Sequence, residues 1–112
     1  MRIDSYDFGK IVIDGKTYTN DVLLLHDNIE DWWRNTGHEV HPDDLQTAIN
    51  QEPEVIIIGT GASSIVKVTE ETEMLLREKG IELLIASTPD AVQLYNELSL
   101  KKKVIAGLHL TC

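Results

Sequence analysis

The stretch Glu54-Val55-Ile56-Ile57-Ile58-Gly59-Thr60-Gly61 decides the fold. Four consecutive β-branched residues suit a strand buried on both faces, and the Gly-Thr-Gly segment ends it. Downstream, Thr69 is placed to cap a helix whose first turn carries Glu70 and Glu71, as the helix dipole favours. Met74 and Leu75 mark its expected buried side, and Gly80 follows Lys79 as a C-terminal stop. Ile81 to Ala86 then reads as a second buried strand. Thr88-Pro89-Asp90 caps a third helix, in which Ala91, Val92, Tyr95 and Leu98 share one face. Val104 to Leu110 is the last strand. Residues 54–110 therefore read β-α-β-α-β, and strands joined through helices run parallel. Val55–Ile58 and Leu83–Ala86 are expected side by side in the same direction.

Upstream the chain is more polar and strand-rich. Ile3 to Phe8 alternates loosely. Lys10-Ile11-Val12-Ile13 and Lys16-Thr17-Tyr18 flank Asp14-Gly15, a hairpin signal because both turn residues tolerate positive φ. Val22-Leu23-Leu24-Leu25 is a short buried strand. Trp32 and Trp33 cannot point the same way on an extended chain, so one ring is expected in the core and one near the surface. His41-Pro42-Asp43-Asp44-Leu45 starts a helix with proline in its first turn, continued by an apolar stripe of Leu45, Ala48 and Ile49. The fold class is α/β or α+β with a mixed sheet, and residues 1–112 form a single domain.

Composition narrows the functions. Apolar residues make up 42% of the 112, a globular share that argues against disorder. Acids outnumber bases by 19 to 10, for a net charge of −9, and most of the excess lies in the first sixty residues. That balance disfavours nucleic acid, whose binding needs clustered Lys and Arg; Lys101-Lys102-Lys103 is read as a solvated turn after the third helix. The acidic first half, including Glu30, Asp31, Asp43 and Asp44, is either a solvated surface or a face for a basic partner. No run is long enough to span a membrane, and the N-terminus lacks the pattern of a signal peptide. A single cysteine, Cys112, forms no internal disulfide and suits a reducing cytoplasm.

The strongest local ligand signal is Gly59-Thr60-Gly61-Ala62-Ser63-Ser64. It leaves the carboxyl end of a buried strand, where ligands of open α/β sheets sit. Glycines let backbone approach a ligand, and free N–H groups cradle an anion. Thr88 is expected at the same edge, beside the start of the third helix. Gly59, Thr60, Gly61, Ser63, Ser64 and Thr88 are thus the candidate binding residues for a small anion. The alternative is a plain turn: Ser64 stands where the third glycine of a dinucleotide fingerprint belongs, and no P-loop Gly-Lys-Ser is present. His38 and His41 with Asp43 and Asp44 form no known metal-binding pattern, and His41 is better read as a cap before Pro42. His109, inside an apolar strand pattern, is expected buried and hydrogen-bonded. No catalytic residue, cofactor or metal is assigned.

Ile58-Gly59-Thr60-Gly61, Thr88-Pro89-Asp90-Ala91 with Tyr95-Asn96-Glu97-Leu98, and Val104-Ile105-Ala106-Gly107-Leu108 together resemble a small-domain family long classed as of unknown function. It includes the mitochondrial respiratory complex I assembly factor three and an adipogenesis-associated domain protein. Trp33, His38 and Asp44-Leu45 follow in similar order. The resemblance implies a three-layer β/β/α arrangement with a hammerhead-like β part near the N-terminus, and no known reaction. The leading expectation is a non-enzymatic protein-binding or assembly module with an unknown protein partner, monomeric or homodimeric. The alternative is a small-molecule or anion-binding protein, or an enzyme, with its site at Gly59–Ser64.

Overall fold

The Val55–Ile58 run lies in the middle strand of a three-strand parallel unit, as its unbroken apolar character requires. The computed structural model describes all residues, Met1–Cys112. In chain order the strands are β1 (Ile3–Asp7), β2 (Lys10–Ile13), β3 (Lys16–Tyr18), β4 (Val22–Leu24), β5 (Ile29–Asp31), β6 (Glu39–Val40), β7 (Val55–Gly59), β8 (Lys67–Val68), β9 (Glu82–Ala86) and β10 (Val104–Leu108). A 3-10 turn, Pro42–Leu45, runs into α1 (Gln46–Asn50); α2 (Glu70–Glu78) and α3 (Thr88–Leu98) follow. The main sheet has the order β5-β4-β10-β7-β9. β7 pairs in parallel with β10 and β9, while β4 joins β10 antiparallel and carries β5 on its far side. β1-β2-β3 form a separate antiparallel sheet and β6-β8 a short parallel pair.

Side chains alternate across a strand, so the main sheet separates two cores. Val55 and Ile57 face one way with Val22, Leu24, Val104, Ala106 and Leu108. That face is covered by Ala91 and Tyr95 of α3 and by Ile3, Ile11 and Ile13 of the three-stranded sheet. Ile56 and Ile58 face the other way with Leu23, Leu25 and Ile105, under Leu45, Ala48, Ile49, Leu76 and Trp32. Each fully buried aliphatic side chain contributes about 1.5–3 kcal/mol relative to an exposed one. Asn96 fastens α3 to β1: its Oδ1 accepts from the Ile3 N–H and its Nδ2 donates to the Ile3 carbonyl, both at 2.9 Å. The β-rich N-terminal part, the alternating second half and the three layers agree with the architecture read from the sequence. No helix is long and apolar enough to cross a membrane.

Several local expectations are corrected. The segment Ile81 to Ala86 is not a buried strand: β9 is an edge, paired only with β7, and Ile85 is 46% exposed. On α2 the buried positions are Thr72 and Leu76, one turn apart, while Met74 faces solvent. The third helix is capped at Ser87, and Thr88 is its first residue, with its hydroxyl turned inward. Asp44 is no surface charge. Its carboxylate accepts from the N–H groups of His41 (2.8 Å) and Asn35 (3.3 Å), closing the start of the 3-10 turn. The expected division of the two tryptophans holds: Trp32 is 5% exposed and Trp33 is 88% exposed.

Candidate functional site

Parallel pairing of β7 and β9 brings the glycine turn and Thr88 together. The Gly61 N–H donates to Thr88 Oγ1 at 2.9 Å, and that hydroxyl donates to the His109 carbonyl at 2.6 Å. Thr60 donates from both its N–H and its hydroxyl to the Ala86 carbonyl. Ser64 N–H donates back to the Gly61 carbonyl, and three other donors of the turn meet the end of the chain. Ala62 N–H donates to the Thr111 carbonyl at 2.7 Å, and Ser63 and Ile65 N–H donate to the Cys112 carbonyl at 3.1 and 3.4 Å. Gly61 lies at φ +104°, and a side chain there would run into the Cys112 backbone and the His109 ring. The turn therefore clasps residues 109–112 against the sheet.

Beside this clasp a cleft of about 430 Å³ opens, lined by segments 19–21, 31–34 and 109–111 with Gly37. Its floor is built from the core upward. Gly107 on β10 leaves room for the Trp32 indole, which a Cβ would meet at 2.8 Å. Trp32 Nε1 donates to the Asp44 carbonyl at 3.0 Å, fixing the ring, and the Arg34 guanidinium lies over it at 4.6 Å. The Arg34 side chain is 5% exposed and paired with Asp21 at 2.8 Å. Its Nη2 also donates to the Gly37 carbonyl at 2.8 Å. Its Nη1 is buried without a hydrogen-bond partner, so the Trp32 face is what partly offsets that donor's desolvation.

Asp21 organises the cleft. His109 Nδ1 lies 2.7 Å from the Asp21 carboxylate, which only accepts, so Nδ1 carries a proton, and in the neutral ring Nε2 is the acceptor. Both Nη2 hydrogens of Arg34 are used, on Asp21 and Gly37, so its 3.2 Å approach to Nδ1 is proximity and not a hydrogen bond. The other Asp21 oxygen accepts from the Leu110 N–H at 2.8 Å. Burial works against the charge of Asp21. Hydrogen bonds from His109, the Leu110 N–H and Arg34 outweigh it and hold the carboxyl below the usual carboxylate range. Tyr6, whose hydroxyl donates to the Leu110 carbonyl, is pushed up by burial and then by the charges of Asp21 and Asp7.

With Arg34 matched to Asp21, the uncompensated charge on the cleft wall is Asp31, which is exposed and forms no ion pair. Trp33 stands beside it. His109 was legible as a buried histidine, but its partners were not, because Asp21, Arg34 and His109 come from three distant segments. The run Trp32-Trp33-Arg34 was the available signal.

The family model for a protein of unknown function, DUF498/DUF598, matches residues 3–109. This chain belongs to that family. Among similar solved structures, a conserved hypothetical protein of Pyrococcus horikoshii is 28% identical over 100% of both chains, with a TM-score of 0.91. A protein of Bartonella henselae, described as an outer membrane protein, is 25% identical over 98% of this chain and 94% of its own, with a TM-score of 0.85. A Bordetella pertussis protein described as an Mth938-like domain shares the fold at 16% identity, covering 97% of this chain and 85% of its own, with a TM-score of 0.70. DUF498/DUF598 membership fixes the architecture and assigns no reaction.

Proposed function

We propose that this chain is a protein-binding module whose cleft receives a basic segment of a partner. The observation that carries this reading is Trp33, exposed beside unpaired Asp31, on a floor made rigid by Trp32 and Arg34. An exposed aromatic face next to a free carboxylate suits a lysine or arginine side chain, through cation–π and Coulomb attraction. The net charge of −9 attracts such a segment from a distance. The resemblance to assembly-type members supports the same class of role.

The competing reading places a small anion at Gly59, Thr60, Gly61, Ser63, Ser64 and Thr88. Such an anion would have to displace Thr111 and Cys112 from the N–H groups of the turn. The test is a tryptophan-fluorescence titration with short lysine- and arginine-rich peptides, acidic peptides of equal length and inorganic phosphate. Saturable binding of the basic peptides alone is expected. Trp33→Phe removes most of the signal, and Asp31→Asn weakens binding roughly three- to tenfold, about 0.7–1.4 kcal/mol. Equal binding of acidic peptides, or none by basic ones, overturns the reading.

A further inference from the structure

We infer that His38, His109 and Cys112 form a binding site for a borderline-soft divalent cation of the zinc class. The site shares His109 with the cleft wall but uses neither Asp31 nor Trp33, on which the peptide reading rests. One donor atom from each of the three residues lies within 4.8 Å of the others. Cys112 Sγ is 4.0 Å from His38 Nε2, and the two imidazoles meet edge to face with centroids 5.8 Å apart. A thiolate with two neutral imidazoles is a donor set that zinc favours over calcium or magnesium. Around a tetrahedral ion, zinc bond lengths place such donors roughly 3.3–3.8 Å apart. The cluster must therefore contract by about an ångström, and the exposed His38 ring is free to turn inward.

A second observation concerns the tautomer of His109. Its Nδ1 proton is committed to Asp21, so in the neutral ring that ligation requires, Nε2 is the lone-pair donor. A carboxylate behind a ligating imidazole is the arrangement that orients metal-bound histidines and raises their basicity. At present Nε2 lies 3.2 Å from the Thr111 hydroxyl, a contact the ion would replace. The third observation is that the backbone already fixes all three residues. His109 N–H donates to the Gly59 carbonyl at 3.0 Å, and the His38 carbonyl accepts from Lys67 N–H at 2.9 Å. The Cys112 carbonyl is clasped by Ser63 and Ile65. The glycine turn thus contributes indirectly, by seating the segment that presents His109 and Cys112. Binding displaces the thiol proton, so affinity rises with pH. His38 and His109 fall within the residues matched by the family model, and Cys112 falls outside them.

The test uses the full chain without an affinity tag, reduced and freed of metal with a chelator, then titrated with Co²⁺ and Zn²⁺. One equivalent of Co²⁺ should bind, with a thiolate-to-cobalt charge-transfer band and the visible spectrum of a four-coordinate ion. Zn²⁺ should abolish both. Cys112→Ser should remove the charge-transfer band, and both Cys112→Ser and His38→Ala should weaken Zn²⁺ binding at least tenfold. His26→Ala, remote from the cluster, should change neither. The Cys112 and His38 side chains lie outside the two cores, and circular dichroism checks that both variants fold. Absence of the band with the wild-type chain, or undiminished affinity in Cys112→Ser and His38→Ala, overturns the proposal.

Discussion

The glycine turn and the tryptophan cleft both adjoin His109, but they spend their polar groups differently. In the turn, each N–H from Thr60 to Val66 finds an oxygen within the protein, several of them in residues 111–112. In the cleft, Arg34 is buried and held while Trp33 and Asp31 remain exposed and unpaired. A glycine-rich loop is therefore a statement about backbone approach, and what approaches can be the chain itself. Recognition chemistry is more plainly marked by side chains that the fold holds still and leaves without partners.

The largest effect that would test this contrast is at Gly61. Gly61→Val puts a β-branched residue at φ +104°, against the Cys112 backbone and the His109 ring. It should destabilise the fold by about 4 kcal/mol, combining left-handed strain with overpacking. The urea midpoint should fall accordingly, with little change in the slope. A near-neutral result would mean that the turn does not clasp the segment.

The legible parts of the fold were those set by local pattern. Val55–Ile58, the Asp14-Gly15 hairpin, the Thr69 cap and the Ala91–Leu98 face all depend on neighbours a few residues away, and each appears in place. Burial was misread where it depends on what lies outside an element. The residues Leu83-Leu84-Ile85 are as apolar as a central strand, yet no strand pairs beyond β9, so Ile85 faces solvent. Leu75 does pack against the core, but Met74 does not, and the stripe was drawn one position off because Thr72, buried through its hydroxyl bond to the Val40 carbonyl, reads as polar in a sequence. The cleft was least legible. Asp21 and His109 are 88 residues apart, and only the pairing of β4 with β10 brings their segments together.

The next effect in size separates the cleft's fixed floor from its exposed wall. Asp21→Asn leaves Arg34 buried without its counter-charge and should cost about 3 kcal/mol near neutral pH. The wild-type pH dependence follows from the same bonds. The folded-state pKa of Asp21 is depressed, so its contribution is complete above the unfolded-state value, near 3.8. It is lost as pH falls through the lower folded-state value. Urea midpoints measured from roughly pH 6 down to pH 2 should show an acid-side fall that is shallower in Asp21→Asn. Parallel profiles for the two proteins would assign the acid loss to other carboxylates.

The smallest expected effect completes the comparison. Trp33→Ala removes a large aromatic side chain, a change that costs about 3–5 kcal/mol in a core. Trp33 is almost wholly solvated, so the loss should stay within about 0.5 kcal/mol. Its neighbour sets the scale, because Trp32 packs over Gly107 and carries Arg34. Denaturation of Trp33→Ala followed by circular dichroism gives the difference directly. A loss above 1 kcal/mol would show that the ring packs on the fold in solution, and the cleft would lose its exposed aromatic wall. A neutral result leaves a large apolar surface with no structural use, which is the property expected of a side chain kept for a partner.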